Sequence, residues 1–469
     1  MVDSGKSRQA NLATVELPEF GIPVVEPDIS ADEVRSRFDS FMSTVAATGL
    51  DAVVVYADRE HSANLSWLTG FDPRFEEALL IAVPDEQPTL LTGPENVGVA
   101  GAAPVSMTVT LYPPMGLLGQ DRSKTRPLAD LLTDAGLATS MKVGAAGWKY
   151  FQQIESPDFE TWLELPAYIV DEIRNLVGPS GRVVNVGNLL MSPAHGLRSV
   201  NSIDELARYE FAACHTSESV KRVILNARPG MREYEAAQAL QSIGKPLTCH
   251  PMFSSGERAW HGLLSPTSKL LEYGDAVTTA YGVLGALNCR AGWLVENATD
   301  LDFEQRDYLE VLVKPYFEAV AEWLETIEIG LEGGVLDAII RRRLGDPFFG
   351  VHLNPGHLIH LEEWMNTPIY QGSEVRFRSG MALQVDVIPA TGSPYFTTNM
   401  EDGIMLLDAA GREEFGDKYP EAMHRIEQRR SFMEECLGIT LKPDCLPLSN
   451  IASWLPPFWL NPGQVMTFN

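Results

Sequence analysis

The pattern of apolar and polar positions divides the chain into helical and extended segments. Apolar side chains recur every three to four positions in residues 32–48, which predicts an amphipathic helix that ends at Gly49. Short apolar runs at 51–57, 77–84 and 88–93 predict buried strands, followed by helices at 127–137 and 160–176 and strands at 142–147 and 184–189. This alternation predicts a small α/β domain with a mixed sheet that extends to about residue 197.

A second pattern begins after a candidate boundary at residues 197–205. Ser202 and Glu205 have the spacing of a capping box, which predicts the start of a long amphipathic helix that reaches about residue 227. Further helices are predicted at 232–242, 303–327, 334–343 and 416–437, and strands at 248–256, 275–289, 379–389 and 403–407. The sequence therefore predicts an α+β protein with an arm at 1–30, domains at 31–197 and 198–412, and a C-terminal helix and tail at 413–469. The aromatic and proline-rich tail is predicted to pack against a domain or a subunit neighbour.

Composition narrows the class of protein. Hydrophobic residues make up 45% and charged residues 21% of the 469 positions, which is ordinary for a globular protein. The net charge of −27 argues against binding nucleic acid or an anionic membrane, because both need clustered Lys and Arg. No apolar run reaches the ~18 residues of a membrane span, and five scattered cysteines are typical of a reducing compartment. We therefore expect a cytoplasmic protein.

The candidate chemistry lies between Pro355 and Asp402. His357 and His360 stand in the turn PGHLIHLEEW, Asp386 ends the apolar run MALQVD, and Glu401 stands in the turn NMED. A carboxylate on an apolar strand is costly to bury unless it binds a cation, accepts hydrogen bonds or shares a proton. These residues predict a metal site or an acid–base site.

Several segments resemble the family of methionine aminopeptidase, aminopeptidase P, prolidase and creatinase. The segments RFDSFMSTVAATGLDAVVV and NLSWLTGFDP are similar to its N-terminal domain, and LRSVNSIDELARYEFAA to its linker helix. The segments PGMREYEAA, SSGERAWHG, YGDAV, NPGHLIHLE, RSGMALQVDVIP and MEDGIMLL then follow in the order and at the spacing of that family. Over residues 32–412 the resemblance implies a creatinase-type N-terminal domain, a pita-bread catalytic domain and a homodimer.

The resemblance also implies metal ligands, and part of the set is missing. Active members hold two metal ions with two Asp, one His and two Glu; His357, Asp386 and Glu401 match three of these positions. The two Asp positions are Ala280 and Ala291 here. Because two divalent ions ~3.5–4 Å apart need bridging carboxylates, a dinuclear centre is not expected.

Creatinase also lacks these two Asp residues and works without a metal. The main functional prediction is therefore based on the resemblance to creatinase. The prediction is a metal-independent hydrolase that cleaves a C–N bond in a small zwitterionic or amidino compound, with no cofactor. The creatinase base corresponds to His261, whose imidazole could take a proton from water and return it to the leaving nitrogen. With His357, the carboxylates Asp386 and Glu401 would complete the catalytic set and hold the cationic group of the substrate.

Four further residues are candidates for substrate binding. Arg290 could hold a substrate carboxylate by a bidentate contact. Strand alternation points Arg290 and Cys289 to opposite faces, so at most one of them faces the site. His360, Trp364 and Tyr281 are the other candidates; His360 and Trp364 stand where the family has Gly and, in many metalloenzymes, a second His.

Three alternatives remain open on the sequence. One is an Xaa-Pro aminopeptidase or dipeptidase with a single Mn, Fe, Co or Zn ion at His357, Asp386 and Glu401. Another is a non-catalytic pita-bread protein that binds a ligand or partner. A lyase in place of a hydrolase is the third.

Overall fold

The computed structural model describes residues 8–241, 243–392 and 394–469. They form two compact units. One unit is Ile29–Ser199, and the other combines the chain up to Asp28 with Val200–Asn469. No helix in these described ranges is both long and apolar enough to cross a membrane.

The unit Ile29–Ser199 is a mixed sheet with helices, as the alternating pattern predicts. After strand β1 (Asn11–Thr14), which belongs to the other unit, its elements are α1 (Ala31–Ala47), β2 (Ala52–Ala57), α2 (Ala63–Thr69), β3 (Ala78–Ala82), β4 (Thr89–Thr92), α3 (Val97–Ala100), β5 (Thr108–Leu111), α4 (Leu128–Asp134), β6 (Lys142–Ala146), α5 (Ala167–Val177), β7 (Arg182–Asn185) and α6 (Gly187–Met191). The strand order is β5-β4-β3-β2-β6-β7, with β3 antiparallel to both neighbours and the other pairs parallel. The fully buried strand β2 lies inside the sheet, next to β3 and β6.

Two predictions in this unit are wrong in part. The helix predicted at 160–176 begins only at Ala167, because Pro166 lacks an N–H and is tolerated only at the start of a helix. The strand predicted at 184–189 ends at Asn185, whose side chain accepts the N–H of Gly187 at 2.9 Å and so turns the chain into α6.

The second unit carries a larger sheet. Its elements after β1 are α7 (Ile203–Asn226), α8 (Glu233–Ala237), β8 (Met252–Ser255), β9 (Ala276–Val283), β10 (Ala286–Trp293), α9 (Lys314–Thr326), α10 (Gly333–Leu344), β11 (His357–Leu358), β12 (Ala382–Val385), β13 (Asn399–Leu406), α11 (Ala409–Lys418), α12 (Pro420–Glu435), β14 (Cys445–Pro447) and β15 (Gln464–Thr467). The antiparallel order is β11-β12-β13-β10-β9-β8, with β14 also paired to β13. Helix α7 packs against β9 and β10 and starts at the predicted capping box of Ser202 and Glu205.

Helix predictions in this unit need three corrections. The helix predicted at 303–327 is a 3-10 turn, a π turn at Leu309–Val313 and then α9. The helix at 416–437 is two helices, because Pro420 cannot continue α11 and begins α12 instead. The helix at 232–242 ends at Ala237, and residue 242 lies outside the described residues.

The C-terminal tail is part of the core of this unit. Trp454, Phe458 and Trp459 are buried, and a β-bridge joins Phe458 to Trp293 of β10. The last strand, β15, pairs antiparallel with β1 near the other end of the chain. The tail thus packs as predicted, and it packs on the back of the strands that carry the candidate site.

Candidate functional site

Strand pairing places the candidate residues on one face of the larger sheet. Directly opposite residues of an antiparallel pair share a face, and alternate residues of one strand do too. His357 of β11 lies opposite Gln384 of β12. Asp386 is two residues beyond Gln384, and continuing the β12–β13 register places it opposite Glu401. Glu401 lies within β13 and not in the predicted turn, because residues 399–401 pair with β10. One imidazole and two carboxylates therefore converge on what we call the site face.

These three side chains are close enough to share one cation. The Nε2 atom of His357 lies 3.9 Å from Oδ2 of Asp386 and 4.0 Å from Oε1 of Glu401. Ligand atoms of all three lie within 4.8 Å of one another, and all three residues are buried. Within the described ranges, no other group of His, Cys, Asp and Glu side chains converges in this way.

A third carboxylate, that of Glu363, contacts the imidazole of His357, and the sequence did not predict it. Oε1 of Glu363 is 3.0 Å from Nε2 of His357, although the two groups are not aligned for a hydrogen bond. Glu363 is outside the three-residue group but touches its histidine. The only sequence signal was the acidic pair Glu362–Glu363 in the turn after His357.

Trp364 stacks on one face of the His357 imidazole. Its ring stacks on His357 with centroids 4.0 Å apart and an angle of 19° between the planes. The Nδ1 atom of His357 lies 3.3 Å from the carbonyl oxygen of Leu358. These contacts fix the ring so that Nε2 faces the carboxylates.

The electrostatics of the cluster show an excess of negative charge. Burial raises the pKa of Asp386, and Glu363 raises it further, whereas His357 lowers it. Burial, Asp386 and Glu363 together raise the pKa of Glu401 well above its usual range. Burial lowers the pKa of His357, but Glu363 and Asp386 outweigh that effect and raise it. Burial and the neighbouring carboxylates therefore both disfavour ionisation of Asp386 and Glu401.

Ala280 and Ala291, which the sequence resemblance aligns with metal-binding Asp residues, lie among apolar side chains. Ala280 of β9 lies opposite Cys289 of β10. Both pack with Met252 and Leu287 on the site side of the sheet, and Cys249 adds a partly buried sulfur. Ala291, two residues beyond Cys289, is fully buried. These side chains offer no carboxylate to a cation.

Arg290 and Tyr281 lie on the back face of the same strands. Nη2 of Arg290 donates to Oδ2 of Asp402 at 2.8 Å, and its Nε donates to the carbonyl of Trp454, also at 2.8 Å. Tyr281 is buried and alternates with Ala280, so it shares the face of Arg290. Both residues are therefore directed away from His357, and Cys289 is the one of its pair on the site face.

The other two histidines predicted as site residues, His261 and His360, lie apart from the cluster. His360 is buried; its Nδ1 accepts the N–H of Leu361 at 2.8 Å, and its Nε2 lies 3.6 Å from Oε1 of Glu205 at the start of α7. His261 is exposed at the end of the 3-10 turn Gly256–His261. In the part of the chain that the structure describes, its imidazole makes no hydrogen bond or ion pair with the cluster.

Comparison with solved structures identifies the fold. A recombinant prolidase from Thermococcus sibiricus matches with a TM-score of 0.63 at 16% identity, covering 81% of this chain and 95% of that one. An Xaa-Pro dipeptidase from Bacillus anthracis gives 0.58 at 18%, over 81% and 96%. An X-Pro aminopeptidase from Thermotoga maritima MSB8 gives 0.59 at 15%, over 79% and 95%. No protein-family model and no curated protein matches the sequence. The structural likeness confirms the predicted α+β pita-bread fold.

Proposed function

We propose that this chain is a hydrolase of the prolidase and aminopeptidase P type, with one divalent cation bound by His357, Asp386 and Glu401. The observation that carries the proposal is the convergence of one imidazole and two buried carboxylates within 4.8 Å. The solved neighbours are a prolidase, an Xaa-Pro dipeptidase and an X-Pro aminopeptidase, so the substrate class is a short Xaa-Pro peptide. The reaction is hydrolysis of its amide C–N bond.

The donor set suits a single transition-metal ion. One imidazole nitrogen and carboxylate oxygens are the ligands of Mn, Fe, Co and Zn sites. The donor separations of 3.9 and 4.0 Å are slightly longer than the roughly 3–3.5 Å expected around an ion about 2.1 Å from each donor. Oδ1 of Asp386 is buried and has no hydrogen-bond partner in the described residues, so an acceptor is left for a cation.

A bound ion would polarise the scissile carbonyl and neutralise the charge that develops on its oxygen. The residues of the chain supply the rest. Burial excludes bulk water from Asp386 and Glu401, which strengthens every electrostatic contact in the site. Burial raises the pKa values of Asp386 and Glu401 in the ion-free site, and a bound cation would favour their ionised forms and so relieve that cost. Trp364 keeps the imidazole in its orientation.

A metal-independent, creatinase-like hydrolase is the second candidate. It is favoured by Ala280 and Ala291, which remove the two carboxylates of a dinuclear centre. An amidinium or ammonium group of a substrate could then lie between Asp386 and Glu401. This candidate needs His261 as its acid–base group, and the exposed position of that residue gives the role no support.

Metal-dependent hydrolysis separates these candidates. The protein is stripped with a chelator and dialysed, and hydrolysis of Xaa-Pro dipeptides is measured with and without Mn²⁺, Co²⁺ or Zn²⁺. We expect activity only with an ion, and losses of at least 100-fold in His357→Ala and Glu401→Gln. His261→Ala is the control and should keep its activity.

Two other outcomes would favour a different function. Full activity in chelator on an amidino compound, lost in His261→Ala, would overturn the single-ion enzyme in favour of the creatinase-like one. Stoichiometric ion binding without turnover of any substrate in either class would indicate a non-catalytic protein.

A further inference from the structure

The turn after β11 folds back onto the imidazole of His357. The N–H of Leu358 donates to the carbonyl of Asn366 at 2.7 Å, and the N–H of Met365 donates to the carbonyl of Leu358 at 3.1 Å. These two hydrogen bonds close a narrow hairpin, so that residues 359–364 fold back beside β11. The hairpin places Trp364 on the face of the imidazole and Glu363 at its edge.

The contact between Glu363 and His357 involves the atom that faces the site. Nε2 lies 3.0 Å from Oε1 of Glu363, and the same Nε2 faces Asp386 and Glu401. An imidazole nitrogen that binds a cation carries no proton, so it and a carboxylate oxygen at 3.0 Å would repel each other. A cation bound to both removes that repulsion, and 3.0 Å is about the separation of neighbouring ligands around an ion with roughly 2.1 Å bonds.

Glu363 lies beside the same imidazole nitrogen as the two buried carboxylates. Its Oε1 is 3.0 Å from the Nε2 atom of His357, which lies 3.9 Å from Asp386 and 4.0 Å from Glu401. Its side chain is 26% exposed, whereas those of Asp386 and Glu401 are 6% exposed. It is therefore the one carboxylate of the cluster with substantial access to solvent.

We propose that Glu363 donates a carboxylate oxygen to the cation and is the third carboxylate of the site. In this arrangement the hairpin after β11 supplies charge on one side of His357, while strands β9 and β10 supply none at Ala280 and Ala291. This inference rests on the single-cation site proposed above. It assigns a role to a residue that follows the histidine by six positions and belongs to no strand of the sheet.

Cation affinity, measured without any reaction, tests the assignment. The chelator-treated full chain is titrated calorimetrically with Co²⁺, Mn²⁺ and Zn²⁺, and the visible absorption of the Co²⁺ form is recorded. Glu363→Gln should weaken binding by roughly 10- to 100-fold and change the Co²⁺ spectrum, because a ligand is lost. The adjacent Glu362→Gln removes the same charge one position away and should stay within threefold of the unchanged protein. Thermal unfolding of the ion-free variants checks that both fold.

The titration distinguishes failure of this inference from failure of the function on which it rests. If the unchanged protein binds an ion, His357→Ala loses it, and Glu363→Gln binds as tightly as Glu362→Gln with the same Co²⁺ spectrum, only the assignment of Glu363 is overturned. If Glu363→Gln changes KM for Xaa-Pro dipeptides without changing ion affinity, Glu363 contacts substrate and the assignment is again wrong. If the unchanged protein binds no ion, the single-cation site itself is wrong, and the assignment falls with it.

Discussion

Two neighbouring carboxylates of β13, Glu401 and Asp402, lie on opposite faces of one strand in opposite environments. Asp402 on the back face accepts hydrogen bonds from Arg290, from Asn288 and from the N–H of Ser453, at 2.8, 2.9 and 2.9 Å. Within the described residues, the side chain of Glu401 on the site face accepts one hydrogen bond, a long one of 3.4 Å from the amide nitrogen of Gln384. Both are buried, so burial alone does not distinguish them.

The difference lies in what surrounds each charge. The back face supplies a buried guanidinium that also binds the carbonyls of Trp454 and Ile451, so the pair Arg290–Asp402 ties the tail to β13. The site face supplies two more carboxylates and one imidazole, and one oxygen of Asp386 has no partner in the described chain. A buried carboxylate that accepts hydrogen bonds from other protein groups stabilises the fold. A buried carboxylate that lacks such donors is available to bind a ligand.

The largest expected effect on stability comes from removing the buried ion pair on the back face. Arg290→Met should lower the free energy of unfolding by about 3–5 kcal/mol, because Asp402 would be left buried without its cation. Chemical denaturation measures the loss. Arg376→Met breaks the exposed ion pair with Glu332 and should change the free energy by less than about 0.5 kcal/mol. Equal, small effects would show that the back face is not held by its charges.

A carboxylate restored to the site face should be costly without a cation. We expect Ala280→Asp to destabilise the ion-free protein by about 2–4 kcal/mol, because the new charge enters the apolar cluster of Met252, Leu287 and Cys289. The apolar variant Ala280→Val controls for added volume and should cost less. Thermal unfolding with and without Mn²⁺ should show that the ion stabilises the Asp variant more than the unchanged protein. A cost no greater than that of Val would contradict the apolar character of this cluster.

The pH dependence of stability should come from the site face. Because the pKa of Glu401 is raised in the folded state, that state holds a proton more tightly than the unfolded one. The resulting stability is fully present below the unfolded pKa of about 4.3 and is lost as pH rises through the folded pKa.

Glu401→Gln should remove this loss. In the presence of chelator, its free energy of unfolding relative to the unchanged protein should rise by roughly 1–3 kcal/mol between pH 4 and pH 8. Denaturant titrations across that range measure the difference. The exposed Glu332→Gln should give a flat difference, and a flat result for Glu401→Gln as well would mean that burial and the neighbouring carboxylates do not raise the pKa of Glu401.

The smallest expected effect concerns the ring that orients the imidazole. Trp364→Ala should cost about 0.5–1.5 kcal/mol through loss of the stack on His357, and Trp364→Phe should recover most of it. Denaturation of the two variants side by side measures the contribution of the stack. Equal losses in both would show that indole-specific contacts, and not stacking, hold the ring.

The sequence predicted the fold well because periodicity and capping are local. The capping box at Ser202 and the apolar strands around Asp386 are encoded within a few residues, and the ligand spacing followed from the family resemblance. Alternation predicted that only one of Cys289 and Arg290 faces the site, but pairing across β10 and β13 was needed to decide which. Glu363 was missed because its position depends on a hairpin that closes through backbone contacts, which no side-chain period reveals.

The pairing of β1 with β15 has a consequence for how the chain is assembled. Residues 11–14 form their ladder with residues 464–467, so the unit that holds the candidate site is interrupted along the chain by all of Ile29–Ser199. During synthesis the inserted unit can fold as soon as it has left the ribosome, as domains generally do. The unit with the site cannot form the ladder between β1 and β15 until residues 464–467 have been made, so a chain stalled before them would lack this ladder.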